Sequence, residues 1–144
     1  PPEAFAAALD TIRARIRAEA PLVRRSGILS YFDEQMEAIS SPDKLRAVME
    51  KPFATVDAWA ETHGIPKEDI FLGEFGMIRQ EYGKPVVTEP QWRAAYARDM
   101  IEIAEKHGFP WALWSYGGAF GVVESYEGEK AEPDVLRMIR GLAE

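Results

Sequence analysis

The sequence predicts a parallel α/β fold, and three observations carry that reading. The run Ile70-Phe71-Leu72 passes through Gly73 into Glu74, Phe75 and Gly76. A short continuous apolar run is how a strand covered on both faces reads. A second run of this kind is Trp111-Ala112-Leu113-Trp114-Ser115-Tyr116. Each run follows the same pattern, Ala-Glu-x-His-Gly-(Ile/Phe)-Pro, at residues 60–66 and again 44 positions later at 104–110. In that pattern glycine supplies the left-handed residue that ends a helix, an apolar residue packs back, and proline prevents continuation.

Taken in order, residues 3–19 place Phe5, Leu9, Ile12 and Ile16 on one helical face, with Arg13, Arg15, Arg17 and Glu19 mostly off it. Pro21 ends that segment. Residues 26–39 read as a second helix by propensity, although Gly27 to Phe32 also suits a strand. Its acidic trio Asp33, Glu34 and Glu37 reads as a solvated face, because no histidine lies nearby and the spacing matches no oxygen-ligand loop. Ser41-Pro42 reads as an N-cap with proline in the first turn of a short helix through Met49. Pro52 then opens a further helix with Phe53, Val56, Trp59 and Ala60 on one face.

The first strand is expected over Asp69–Phe75 and the second over Trp111–Tyr116. Between them a helix from Pro90 to His107 presents Trp92, Tyr96, Met100 and Ile103 on one face, with Thr88 and Gln91 as a capping box. Strand, long helix and strand make a βαβ unit, right-handed in nearly all cases. A last helix after Pro133 presents Val135, Leu136, Ile139 and Leu142 and is expected to cover the second strand. His63 and His107 read as helix terminators, not ligands or bases, since the repeated motif accounts for both.

The 144 residues suffice for one domain with a sizeable core, and 47% hydrophobic with 28% charged residues is ordinary globular composition. A net charge of −7, with scattered Lys and Arg, argues against a nucleic-acid partner. No apolar run approaches the roughly 20 residues that span a bilayer, so no membrane partner is expected. The absence of Cys excludes disulfides, thiolate metal sites and a Cys nucleophile. It leaves the compartment open, with a periplasmic or secreted location favoured. The chain starts Pro1-Pro2 without Met and enters a helical pattern almost at once, so it reads as the interior of a longer polypeptide.

Chemistry in parallel α/β folds collects at the C-terminal ends of strands. Glu74 stands at such an end; a solvated loop glutamate or one paired with arginine is the alternative. The connection 77–89 exceeds the usual ~2–6 residues of a βα loop and carries Arg79, Gln80, Glu81 and Tyr82. Gly117-Gly118-Ala119-Phe120-Gly121 follows the second strand, without the glycine spacing of a phosphate loop. Glu74, Trp114 and Tyr116 together supply carboxylate, indole and phenol. Aromatic rings stack on the C–H faces of sugars, and glycosidic cleavage uses a carboxylate pair. Trp114, nearer the strand end, is assigned to the site and Trp111 to packing.

Leu72-Gly73-Glu74-Phe75-Gly76, followed by Trp111 to Tyr116, resembles the last two strands of glycoside hydrolase family 5, the cellulase-type (β/α)8 barrels. The closest likeness is to bacterial cellulase-like members, some associated with exopolysaccharide operons. It is good from Trp59 to Glu124 and weak before Tyr31. The resemblance implies an α/β fold that is the C-terminal part of a TIM barrel, incomplete alone. Residues 1–68 would be a helical region and 69–144 strand 7, helix 7, strand 8 and helix 8. It also implies Glu74 as catalytic nucleophile and Trp114 as sugar platform, with Tyr116 and Arg79 as further substrate contacts and no metal or cofactor. The family's Asn-Glu-Pro acid/base motif is missing, and the sequence has no Asn. Its arginine near the third strand and its His-x-Tyr motif near the sixth are missing as well.

The expected function is therefore retaining hydrolysis of β-linked glucan-like polysaccharide or oligosaccharide. Glu74 acts as nucleophile, and the acid/base glutamate lies on an N-terminal portion of the barrel outside this chain. Alone, the chain is expected to be inactive. One alternative is a non-catalytic glycan-binding or assembly fragment. Another is a different parallel α/β enzyme with Glu74 as general base or metal ligand, which the lack of clustered His and Asp disfavours.

Overall fold

A computed structural model describes residues 3–124 and 133–142. Contacts divide the chain into two compact units, Pro1–Met49 and Glu50–Glu144.

In the first unit, α1 (Glu3–Glu19) and α2 (Leu22–Ala38) pack on each other. Pro21 both ends α1 and stands at the N-cap of α2, so α2 begins four residues before the expected Ser26. Arg13, expected off the packed face, joins the two helices. Its Nε donates to Asp33 Oδ1 at 2.7 Å and its Nη1 to Asp10 Oδ1 at 3.0 Å, while the guanidinium sits 5.6 Å from the Phe32 ring centre. The acidic trio is similarly engaged. Asp33 accepts from Arg13, Glu34 from Ser30 Oγ, and Glu37 from Lys44. No residue of α2 is fully buried, because two packed helices alone cannot enclose a core.

The division falls within α3 (Pro42–His63). Ser41 Oγ accepts from the Lys44 N–H at 3.3 Å, as an N-cap should. Two helices were expected here, meeting at Pro52; a single one of 22 residues runs through that proline. Interior proline removes one backbone hydrogen bond, and the turns on either side supply enough others to hold the helix.

The second unit holds the sheet. A 3-10 turn, Lys67–Asp69, precedes β1 (Leu72–Phe75), so the strand is shorter than the expected 69–75. Pro66 and Lys67 carbonyls take the N–H groups of Asp69 and Ile70, which closes that turn instead of extending the chain. The strand β2 (Trp111–Leu113) lies parallel to β1, with Leu72 opposite Trp111 and Phe75 opposite Leu113. Burial on both faces holds only in part: Phe75 is buried, whereas Phe71 is 61% exposed, with β2 the only strand paired to β1 among the described residues.

Between the strands runs α4 (Pro90–His107). The expected capping box does not form: Glu89 is the N-cap, without a side-chain bond, and Pro90 takes the first helical position. The buried face matches the expected one in part: Ile103 is fully buried and Tyr96 and Met100 pack against the core, but the face runs chiefly through Arg93, Ala94, Ala97, Ile101 and Ala104, and Trp92 is 59% exposed. Alanines let neighbours approach α4 closely; the large aromatics sit at its margins. Below this face Phe75, Ala97, Ile101, Val122, Val135 and Met138 form the core, with Trp111 packed edge-on to Phe75 at 6.0 Å. Burying one such side chain is worth about 1.5–3 kcal/mol. The last helix, α5 (Pro133–Leu142), packs chiefly on α4, not on β2 as expected, and buries Val135 and Met138. The Leu142 side chain lies outside the described residues.

Both expected terminators form. Gly64 and Gly108 have φ of 65° and 76°. The Gly108 N–H donates to Glu105 O and the Phe109 N–H to Ala104 O; Gly64 and Ile65 bond Glu61 O and Ala60 O in the same way. The two histidines nevertheless differ. His63 Nδ1 meets the Trp59 carbonyl of its own helix at 2.8 Å. His107 Nδ1 lies 3.1 Å from Asp57 Oδ2 and Nε2 lies 3.5 Å from Glu50, with the ring stacked on Phe53. Lys67 reaches Asp57 at 2.7 Å, and Lys106 pairs with Glu50. His107 thus ends a helix and also joins α4 to α3.

These partners hold both carboxyls below their ordinary range, with the hydrogen bond from Lys67 first and that from the His107 ring second at Asp57, and that from Lys106 first at Glu50. Carboxyls that ionise more easily folded than unfolded add stability above their unfolded pKa. That stability is lost as pH falls through the lower folded values. The urea midpoint should therefore drop as pH falls below about 5, and Asp57→Asn with Glu50→Gln should flatten that slope. An unchanged slope in the double variant would show the acid sensitivity to lie elsewhere.

Candidate functional site

The pairing register slips between Leu72 and Phe75, so both of these turn toward the core while Gly73 and Glu74 between them are left exposed. The Glu74 side chain makes no hydrogen bond or ion pair among the described residues. The neighbouring strand is locked to this point. The Trp114 N–H donates to the Phe75 carbonyl at 2.8 Å, so Trp114 leaves β2 level with the end of β1. Its side chain is 50% exposed. Glu74, Phe75, Gly76, Tyr96, Met100, Trp114 and Phe120 line one open depression at these strand ends. A larger depression lies between α4 and α5, lined by Ala94, Arg98, Asp134, Arg137 and Met138, and no strand residue reaches it.

The other two expected site residues lie apart from this depression. Tyr116 Oη donates to Glu124 Oε1 at 3.0 Å, and that carboxylate pushes the phenol pKa up by disfavouring the phenolate. The Tyr116 carbonyl meanwhile accepts the N–H groups of Val122, Val123 and Glu124, folding the chain back after β2. Arg79 is fixed through its backbone N–H, which donates to Ala119 O at 2.7 Å. Loop 77–89 is a small hairpin, with Gln80 bridged antiparallel to Val87 and Gly83 at φ 72° in its turn.

Three lining residues were not foreseen as such. In the sequence Tyr96 and Met100 mark a packed helix face; they are half-buried and also floor the depression. Phe120, the lone large apolar residue in a glycine-rich loop, was the available signal for the third. Among the described residues no group of three or more His, Asp or Glu is placed to hold a metal ion. No described helix is long and apolar enough to cross a membrane.

Similar arrangements occur in solved structures. A hyperthermophilic endo-β-1,4-glucanase in complex with substrate shares 26% identity with a TM-score of 0.53 over 69% of this chain and 29% of that one. Cellulose synthase subunit Z from Clostridioides difficile shares 27% and a TM-score of 0.53 over 70% of this chain and 30% of its own. The chain is similar to part of a cellulase-type glycoside hydrolase. Thermotoga maritima Cel5A in complex with cellobiose, at 22% identity and a TM-score of 0.53, shows the same fold. The resemblance read from residues 72–76 and 111–116 is thus met by structures of that kind, and the fold is one used by glucan-active hydrolases. This chain spans about 30% of their length. No family model and no curated protein matches it.

Gly76 shapes the junction between Glu74 and Trp114. A Cβ built there would lie 1.9 Å from the Trp114 carbonyl oxygen. Gly76→Ala should therefore force the strand ends apart and cost about 1–3 kcal/mol in denaturant unfolding. Gly27→Ala is the control: it lies mid-helix with nothing within 4 Å of the added Cβ, and should gain about 0.5–1 kcal/mol. Equal stability of Gly76→Ala and the native chain would contradict the close approach.

Proposed function

We propose that this chain is the C-terminal part of a (β/α)8 barrel, with β1 and β2 as its seventh and eighth strands, in a retaining hydrolase of β-linked glucan-like chains. The observation that carries the reading is the shared depression of Glu74 and Trp114 at the C-terminal ends of two parallel strands. The similarity to an endo-β-1,4-glucanase and to a cellulose synthase subunit supports the substrate class.

In this mechanism Glu74 attacks the anomeric carbon as the leaving oxygen departs, giving a glycosyl-enzyme. A second carboxyl, on the N-terminal portion of the barrel, protonates that oxygen and then activates the water that hydrolyses the intermediate. Retention needs the two carboxyls about 5–5.5 Å apart. Trp114 stacks a sugar beside the cleaved bond; Tyr116 and Arg79 make outer contacts. An exposed, unpaired Glu74 suits a nucleophile, because nothing blocks approach of a sugar.

The alternative, an assembly or glycan-binding fragment, draws support from the edge of β1 that no strand among the described residues pairs with. Beside that edge Pro52, Phe53, Val56, Phe71 and Leu72 line an apolar groove. Unpaired strand edges invite a further strand.

The chain alone should not turn over soluble β-glucan, and addition of an N-terminal barrel portion should restore activity. In the restored enzyme Glu74→Gln should reduce turnover by at least about 10³-fold while sugar binding persists. Trp114→Ala should weaken binding about tenfold. Activity of the isolated chain, or of the Glu74→Gln enzyme, would refute the assignment.

A further inference from the structure

Arg93 is a buried cation that the catalytic reading does not use. It is 3% exposed, on the first turn of α4. Its Nε donates to Met77 O at 3.1 Å, and its Nη2 to Phe120 O at 2.8 Å and Gly121 O at 3.0 Å. Met77 opens the loop that follows Glu74; Phe120 and Gly121 belong to the loop that follows Trp114. The two loops also touch directly, as Arg79 and Gln80 N–H groups share the Ala119 carbonyl. The second loop has little room to rearrange, since a Cβ at Gly121 would lie 1.9 Å from Glu124 O.

We propose that Arg93 is the positioning residue of the depression at Glu74 and Trp114: its guanidinium ties the loops after both strands to α4 and so sets the height and spacing of the rim. It acts through loop backbone and does not itself line the depression. Arginine suits this role because its planar fork carries donors in several fixed directions, enough to reach carbonyls of two separate loops. Lysine offers a point charge on a flexible stem and cannot hold both loops with the same geometry. Burial, followed by the nearby Arg79 charge, lowers the Arg93 pKa to about 10, which leaves the clamp cationic at neutral pH. Charge-assisted bonds to carbonyls compensate the lost hydration. The consequence for sugar binding rests on the function proposed above; the clamp itself does not.

Amide hydrogen exchange on the full chain tests it. In Arg93→Met, the amides of Arg79, Gln80 and Val122 to Glu124 should lose protection about tenfold or more, while Leu72, Trp114 and the α4 interior stay near native values. Arg93→Lys should show the same pattern with a smaller factor, and it decides the matter if Arg93→Met does not fold. Cellobiose titration followed by the Trp114 indole signal should show weaker binding in Arg93→Met and partial recovery in Arg93→Lys. Native protection of the loop amides in these variants would overturn the proposal. So would equal loss at the strand pair and the loops, which would make Arg93 a general core residue. Failure of the native chain to bind cellobiose would overturn the carbohydrate consequence alone and leave the exchange pattern to decide the clamp.

Discussion

A guanidinium buried beneath two loops is the constraint on which the candidate site depends. Strand pairing brings Glu74 and Trp114 level, but it ends at Phe75 and Leu113. Beyond the Trp114 N–H bond to Phe75, the two strands pair no further among the described residues. Backbone carbonyls there still need donors once they leave water. Arg93 supplies three such bonds from one side chain rooted on a helix. The alanine face of α4 brings that helix near enough for the arginine to reach both loops. Small residues in the helix and a large cation at its start are parts of one solution.

Much of this was readable from the sequence where the signals are local. Gly64 and Gly108 announced their helix ends because left-handed backbone followed by proline leaves few alternatives. The parallel pair and the placement of Glu74 and Trp114 followed from those ends. Errors arose where tertiary packing overrides local pattern. Trp92 drew the expected face of α4 toward itself because large aromatics normally mark a core. The actual face keeps the expected Ile103 but is otherwise built largely from alanines, whose apolar signal is weak. Pro52 marked a helix start, yet hydrogen bonds in the turns around it carry α3 past the missing one. Arg93 was invisible for a similar reason: nothing local distinguishes a buried arginine from a solvated one. Periodicity does place Tyr96 and Met100 on the packed side of α4, but that they also floor the depression depends on where the strand ends fall.

The site combines an unengaged carboxylate with partly exposed aromatic surface, and these demand different surroundings. A carboxylate is solvated best beside water, whereas a stacking platform gains most from losing it. The depression separates the two needs. Glu74 projects from the exposed side of β1, while Tyr96, Met100 and Phe120 lower the polarity of the floor. Trp114, half exposed, lies between these regimes. An occupant with one polar edge and one apolar face would match both, a property sugar rings share.

The paired helix terminators have a further consequence. Each returns the chain to the sheet from the same end, so every strand launched by one points the same way. The launching end and the reacting end of the second unit are thereby distinct regions. Glycine geometry, the His107 cluster and its partners occupy the former; the carboxylate, the indole and the loops occupy the latter. Changes in loop length or rim composition leave the launching end untouched. A chain organised in this way can alter what it binds without renegotiating how it folds.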